Sequence, residues 1–126
     1  MNIAVIGLGF VGLSISSVLA SKNYNVVGID INDQKCSNIR NGVLPLFEPG
    51  LENTLRVGLK KKLTISNNFS LIKNCDMIFV TVGTPQKSNG AIELSMIKEA
   101  ITSIGRIIAK SKNNPIILIK STVTPG

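Results

Sequence analysis

The sequence predicts an α/β fold, a doubly wound parallel sheet with helices on both faces in a single domain. Short apolar runs alternate with helical patterns along the whole chain, which is typical of β–α–β architecture. The run 76–82 is almost continuously apolar, as strands buried in parallel sheets are. With 126 residues, 44% of them hydrophobic, the chain has the size and composition of one domain with its own core.

A glycine-rich turn follows the first predicted strand, residues 3–6. Gly7, Gly9 and Gly12 have the spacing G-x-G-x-x-G, and residues 13–20 have a helical pattern. In such a strand–turn–helix the first glycine permits the tight turn, the second lets a pyrophosphate approach the backbone, and the third lets the helix pack on the sheet. The helix N-terminus adds unpaired N–H groups and the positive end of its dipole. The pattern predicts a dinucleotide site on a Rossmann-type sheet; the alternative is a glycine-rich turn in another α/β protein.

The second predicted strand, residues 25–29, is followed by an acid, Asp30. A carboxylate at this position is placed to accept hydrogen bonds from the adenosine ribose hydroxyls, and its charge disfavours a 2′-phosphate. Lys35 is close enough in sequence to touch the ribose or a phosphate as well. On balance these residues favour NAD over NADP.

The remaining elements follow from caps, turn residues and apolar spacing. The first helix should end near residues 22–23, because Asn23 tolerates the left-handed conformation of a helix C-terminus. Pro49 suits the first position of the third helix, and isoleucines four or three residues apart mark the last one. In chain order the predicted elements are a helix over 33–40, a proline-stiffened loop over 43–50, a helix over 51–59, a strand over 63–66, a brief helix over 67–74, a strand over 76–82, a loop over 86–90, a helix over 94–108 and a strand over 115–120.

Five strands joined by right-handed crossovers assemble in the order 3-2-1-4-5, and ligands of such sheets bind beyond the carboxyl ends of the strands. The segments that follow those ends therefore converge on one edge. They are the glycine turn 7–12, Asp30, the segment 83–85 and the segment 121–122. Cys75 falls at the opposite end of the sheet and Cys36 lies on the second helix, and we predict a structural role for both.

Composition excludes several kinds of site. The chain has no histidine and no metal-binding cysteine pattern, which removes Ser-His and Cys-His nucleophile pairs and argues for no metal. The net charge of +7 would attract anions, but the cations are scattered along the sequence and aromatic residues are few, so we expect no nucleic-acid partner. The run Lys60-Lys61-Lys62 is interpreted as the solvated end of a helix. Because no apolar run could span a bilayer and no signal peptide begins the chain, we expect no membrane partner and a cytoplasmic location.

Four motifs give the sequence its resemblance to a known family. They are Ile6-Gly7-Leu8-Gly9-Phe10-Val11-Gly12, the loop Pro45…Glu48-Pro49-Gly50-Leu51, Val82-Gly83-Thr84-Pro85 and Lys120-Ser121-Thr122-Val123. With these motifs, spread over nearly its whole length, the chain resembles the N-terminal NAD-binding domain of the UDP-glucose/GDP-mannose dehydrogenase family. Members of that family oxidise the C6 alcohol of a nucleotide sugar to a carboxylate with two NAD, through a cysteine thiohemiacetal and a thioester.

The resemblance implies roles for particular residues. Those expected to bind NAD, or to lie beside it, are Gly7, Gly9, Phe10, Val11, Gly12, Asp30, Lys35, Gly83, Thr84, Pro85, Ser121 and Thr122. Thr122 would also help to position a water molecule near the reacting centre, an accessory catalytic role. Because the nucleophilic cysteine and its partners belong to a C-terminal half in this family, residues 1–126 are expected to be a fragment that binds NAD without turnover.

The sugar stays open at this point. Residues 82–85 favour UDP-glucose or GDP-mannose over UDP-N-acetylmannosamine, and of these we choose UDP-glucose, which would give UDP-glucuronate. A stand-alone NAD-sensing module is the alternative of another class, although a sensor has no need of a threonine at the nicotinamide end. The whole enzyme is expected to form a homodimer or a larger assembly, and the fifth strand is expected to leave an apolar edge open to dimerisation or aggregation.

Overall fold

The computed structural model describes residues 1–121, which form a single five-stranded sheet with helices on both faces. In chain order the elements are β1 (Asn2–Ile6), α1 (Phe10–Ser21), β2 (Asn25–Ile29), α2 (Asp33–Arg40), α3 (Leu51–Lys61), β3 (Leu63–Ser66), a 3₁₀ helix (Phe69–Asn74), β4 (Met77–Val80), α4 (Ser95–Ile108) and β5 (Ile116–Ile119). All strand pairs are parallel, and the order β3-β2-β1-β4-β5 confirms the predicted doubly wound topology.

The ends of some elements differ from the prediction. α1 begins before the third glycine of the motif, so that Gly12 lies inside the helix. β4 ends at Val80, earlier than predicted, because its partner β1 ends at Ile6 and the chain then turns away at Gly7, where φ is +92°. Asn23 has φ +72°, the left-handed conformation predicted for the end of α1.

The core lies in two layers, one on each face of the sheet. Alternation along β1 sends Ile3 and Val5 to one face and Ala4 and Ile6 to the other, and all four are buried. Apolar residues of α1, α2 and α3 complete the first layer, and those of α4 and the 3₁₀ helix complete the second. The central strand is thus anchored from both sides, and it carries the glycine turn at its carboxyl end.

Small residues bring α1 and α3 close together. A Cβ at Gly58 would lie 3.3 Å from the Ala20 side chain and 3.3 Å from the Ser17 carbonyl oxygen. The hydroxyl of Ser17 is buried at this contact and has no hydrogen-bond partner among the described residues. The contact therefore stabilises the fold through packing while leaving one polar group unsatisfied.

β5 is an edge strand of the sheet. Its four apolar side chains, from Ile116 to Ile119, are between 37% and 59% exposed. Among residues 1–121, β5 therefore presents the apolar edge that the sequence predicts.

Candidate functional site

A cleft of about 680 Å³ lies at the carboxyl edge of the sheet, where the ends of β1, β2, β4 and β5 meet one face of α4. Its volume is within the roughly 300–1,000 Å³ usual for small-molecule sites. Nine of the twelve residues predicted to bind or flank a cofactor line this cleft, namely Gly7, Gly9, Phe10, Val11, Asp30, Lys35, Gly83, Thr84 and Ser121. Gly12 and Pro85 lie outside the lining, and Thr122 lies outside the described residues.

Two of the three motif glycines are required by packing. At Gly7 the backbone has φ +92°, and a Cβ would lie 2.9 Å from backbone atoms of Val82. At Gly12, in the first turn of α1, a Cβ would overlap the Gly7 carbonyl oxygen and lie 2.5 Å from the Thr81 hydroxyl. Because neither position has a side chain, α1 can begin directly against the ends of β1 and β4.

Gly9 lies in a different environment, at the N-cap of α1. Its φ is −78°, and a Cβ there would meet nothing within 4 Å. No side chain caps this helix and its first turn contains no acid, so the N–H groups of the first turn remain available beside Phe10 and Val11. An open backbone in front of a helix N-terminus is the geometry that proteins use to bind phosphate groups.

Thr81 ties the glycine turn to the end of β4. Its buried hydroxyl lies 2.7 Å from the Gly7 carbonyl oxygen and 3.0 Å from the Ile6 carbonyl oxygen, and it can donate its one proton to either. The Ile6 carbonyl also accepts the Thr81 N–H at 2.8 Å, so the Gly7 carbonyl is the group that depends on the hydroxyl. Thr81 was not predicted from the sequence, because its partners are 74 and 75 residues away; a polar residue within the apolar run 76–82 was the available signal.

Asp30 is buried, and hydrogen bonds hold both of its carboxylate oxygens. Oδ2 accepts the Leu8 N–H at 2.9 Å, and Oδ1 accepts the Asn32 N–H at 2.9 Å. The Lys35 ammonium lies 3.1 Å from Oδ2 and forms an ion pair with it. The carboxylate therefore fixes the glycine turn as well as facing the cleft. The sequence placed Asp30 at the right edge but gave no sign of its bond to Leu8.

The ends of β4 and β5 are joined by a side chain. The Ser121 hydroxyl donates to the Val82 carbonyl oxygen at 2.7 Å, next to the predicted segment 83–85. The Pro85 carbonyl accepts the N–H of Glu93 at 2.8 Å and so closes the loop that leads to α4. Pro85 thus shapes the loop, whereas Ser121 fixes the wall of the cleft.

One face of α4 also lines the cleft, which the sequence analysis did not predict. Met96, Glu99 and Ser103 contribute to the wall, and Ile31, 73% exposed, adds an apolar surface beside Asp30. Residues 96, 99 and 103 are three and four positions apart, so they share a helix face, and this spacing was the signal that could have found them.

Both thiols are buried away from the cleft lining. Burial raises the pKa of Cys36 and of Cys75, and the nearby carboxylates of Asp30 and Asp76 raise the pKa of each further. The Cys36 thiol also donates to the Asp30 carbonyl oxygen at 3.5 Å. Both groups are therefore protonated at neutral pH and supply no nucleophile to the described part of the cleft.

Among residues 1–121 there is no group of three or more His, Cys, Asp or Glu side chains that could hold a metal ion. Within the same residues no helix is long and apolar enough to cross a membrane.

The comparisons with known proteins agree with one another. The chain matches the model of the UDP-glucose/GDP-mannose dehydrogenase family, NAD binding domain, over residues 1–126. It is 38% identical to GDP-mannose 6-dehydrogenase of Pseudomonas syringae pv. tomato, covering 100% of this chain and 29% of that protein. It is also 38% identical to UDP-glucose 6-dehydrogenase YwqF of Bacillus subtilis, covering 100% of this chain and 28% of that protein.

A solved structure extends the similarity to three dimensions. The crystal structure of a ternary complex of GDP-mannose dehydrogenase from Pseudomonas aeruginosa superimposes with a TM-score of 0.96 at 34% identity, over 100% of this chain and 29% of that one. The chain thus spans less than a third of the length of each of these three dehydrogenases.

Proposed function

The chain belongs to the UDP-glucose/GDP-mannose dehydrogenase family, as an NAD-binding domain, and we propose that it binds NAD in the cleft as part of an enzyme that oxidises C6 of UDP-glucose to give UDP-glucuronate. The observation that carries this proposal is that the open backbone at Gly9, the N-terminus of α1 and the Asp30 carboxylate share one cleft. NAD, when bound, supplies the acceptor for hydride.

The α1 N-terminus would hold the pyrophosphate. Because Gly9 has no side chain, a phosphate can approach the backbone, where the N–H groups of Phe10 and Val11 have no partner within the helix. The positive end of the helix dipole adds to the attraction, and the first turn contains no acid that would oppose it.

The Asp30 carboxylate would hold the adenosine ribose. A carboxylate has about four lone-pair positions, and three donors already occupy Asp30: two backbone N–H groups and the Lys35 ammonium. The position that remains can accept a ribose hydroxyl. A 2′-phosphate would meet the Asp30 charge, only partly offset by Lys35, so NAD is favoured over NADP.

The ends of β4 and β5 would hold the nicotinamide end of the cofactor. Gly83, Thr84 and Ser121 line this part of the cleft, and the Ser121 hydroxyl fixes the Val82 carbonyl. Next along the chain, Thr122 would contact the cofactor and help to position a water molecule for the hydrolytic step. Pro85 would act indirectly, by shaping the loop before α4.

A cysteine outside residues 1–126 would carry the covalent steps. Oxidation of an alcohol to an acid through a thioester needs a thiolate beside the nicotinamide, and the thiols of Cys36 and Cys75 are buried, protonated and away from the cleft lining. This chain would therefore bind and orient the cofactor, and the remainder of the enzyme would supply the nucleophile and the sugar site.

The identity of the sugar is tested on the whole enzyme with UDP-glucose, GDP-mannose and UDP-N-acetylmannosamine as separate substrates. We expect NADH formation with UDP-glucose at a kcat/KM at least about tenfold above the others, a difference of about 1.4 kcal/mol in transition-state binding. A higher value with GDP-mannose or UDP-N-acetylmannosamine would replace UDP-glucose as the substrate and leave the cofactor site unaffected.

The cofactor site is tested by titration with NADH and with NADPH, on the native protein and on Asp30→Asn. We expect NADH to bind more tightly to the native protein, and Asp30→Asn to weaken NADH binding about tenfold while leaving NADPH less affected, because a charged acceptor for the ribose is lost.

Asp33→Asn is the matched control. Asp33 is exposed, lies three residues further along the chain and bonds the Asn67 side chain at 3.2 Å, outside the cleft lining. We expect Asp33→Asn to leave the affinities for NADH and for NADPH unchanged. Equal losses for both cofactors in Asp30→Asn would contradict the ribose role and assign Asp30 to support of the glycine turn alone.

A further inference from the structure

The edge of the sheet opposite the cleft carries half of the cations of the chain. All five strands begin at this edge, and α1, α3, α4 and the 3₁₀ helix end there. Seven of the 14 lysines and arginines lie in the last turns of these helices or in the turns after them, namely Lys22, Lys60, Lys61, Lys62, Lys73, Lys110 and Lys112. We call this set the lysine face.

Two hydrogen bonds join neighbouring segments at this end of the molecule. The Lys61 ammonium donates to the Ser21 carbonyl oxygen at 3.2 Å, which links the ends of α3 and α1. The Ser111 hydroxyl donates to the Lys73 carbonyl oxygen at 2.9 Å, which links the turn after α4 to the 3₁₀ helix. The scatter of cations along the sequence therefore becomes a concentration on one surface once the chain is folded.

Within residues 1–121 no ion pair neutralises the charge of the lysine face, whose seven lysines are all exposed. The carboxylate at this edge, Asp76, accepts the backbone N–H of Asn2 at 2.8 Å instead. A favourable interaction with the helix dipole explains why Lys60 and Lys61 are found in the last turn of α3. This interaction does not explain the position of Lys112, which comes four residues after the end of α4.

The shape and composition of the surface indicate which anionic partner it fits. The lysines lie at the ends of helices of both layers, on either side of the sheet, around a shallow depression that Lys61 and Lys62 line. Among the described residues, no aromatic side chain lines this depression. Leu71, 44% exposed, lines the depression with Lys61 and Lys62, and Tyr24, 41% exposed, follows two residues after Lys22. Lysines around a broad face with a few exposed apolar side chains suit an anionic bilayer surface, whereas single-stranded nucleic acid prefers a groove lined by stacking aromatics.

Contrary to the sequence-based expectation of no membrane partner, we propose that the lysine face is a docking surface for membranes that contain anionic lipids. The protein would lie on the bilayer without entering its hydrocarbon core, through lysine–headgroup attraction supplemented by Tyr24 and Leu71. Because the cofactor cleft is at the opposite edge of the sheet, it would face the solution and stay accessible while the protein is docked.

The test measures cosedimentation of the full-length protein with vesicles of phosphatidylcholine alone, or with about one third phosphatidylglycerol, at about 0.1 M salt. We expect binding to the anionic vesicles only, lost at about 0.5 M salt as screening shortens the range of the attraction. In the variant Lys22→Gln/Lys60→Gln/Lys62→Gln the partition coefficient should fall on the order of a hundredfold, since each lysine near an anionic surface contributes roughly fivefold.

The matched control is Arg56→Gln/Lys87→Gln/Lys98→Gln, which removes the same charge from exposed positions away from the lysine face. It should keep most of the vesicle binding, and NADH affinity should be unchanged in both triple variants, which verifies their fold. Equal loss in the two variants would overturn the proposal, because net charge alone would then explain the binding. Absence of binding to anionic vesicles would overturn it as well, and tighter binding of duplex DNA or RNA at matched phosphate concentration would assign the face to nucleic acid.

Discussion

The three motif glycines should separate into a binding glycine and packing glycines when each is replaced by alanine. Gly9→Ala adds a Cβ that meets no atom within 4 Å, at a φ of −78° that alanine adopts freely. Replacing glycine by alanine stabilises the protein by about 0.4–1 kcal/mol, because the unfolded chain has less conformational entropy. It destabilises the protein by a similar amount, because alanine is a poorer N-cap than glycine. The free energy of unfolding should therefore stay within about 0.5 kcal/mol of the native value.

Gly12→Ala should instead damage the fold. Its Cβ would overlap the Gly7 carbonyl oxygen, which the Thr81 hydroxyl holds in place. Overpacking lowers the free energy of unfolding by about 1–3 kcal/mol, and a clash with backbone atoms should cost close to the larger value. The higher helix propensity of alanine offsets about 1 kcal/mol of this loss. We expect a net loss of about 2 kcal/mol, which lowers Tm by roughly 8 °C in a domain of this size.

Two measurements on both variants test this division, thermal unfolding without cofactor and the Kd for NADH. Gly9→Ala should unfold at the native temperature and bind NADH at least about tenfold more weakly, because the new methyl group stands where the phosphate would approach. A Gly12→Ala protein as stable as the native one would refute the packing role of Gly12. Native NADH affinity in Gly9→Ala would refute the phosphate-binding role of Gly9.

Three further predictions concern buried polar groups. Thr81→Val should lower the free energy of unfolding by about 1–2 kcal/mol in urea titrations, because it removes the donor of the Gly7 carbonyl, and Thr81→Ser should recover most of that loss. Ser17→Ala should raise stability by about 1 kcal/mol in the same assay, since its buried hydroxyl has no partner among the described residues; a loss of stability would mean that the hydroxyl is in fact bonded. Burial raises the pKa of Cys36 and Cys75 above the ordinary 9.0, so as pH rises past about 9 the unfolded chain releases thiol protons first and the free energy of unfolding falls. That fall should be shallower in the variant Cys36→Ala/Cys75→Ala, and an identical pH profile would count against the raised pKa values.

The sequence predicted the strand order and the binding edge because both depend on local information. Apolar runs located the strands, the right-handed crossover rule ordered them, and each strand end pointed to the same edge. Such reasoning could not find contacts between distant residues. The Thr81–Gly7 bond spans 74 residues and the Asp30–Leu8 bond spans 22, and neither leaves a spacing pattern in the sequence.

The walls of the cleft are held by bonds within the protein itself. The Gly7 carbonyl is fixed by Thr81, the Leu8 N–H by Asp30, and the Val82 carbonyl by Ser121, so the ends of β1, β2, β4 and β5 are joined without a ligand. Binding then needs little ordering of the site, which reduces the entropic cost of association. It also follows that substitutions of Thr81, Asp30 and Ser121 act on stability and affinity together. At Gly9 an added Cβ would meet nothing within 4 Å, so cofactor affinity can change there while the fold stays intact.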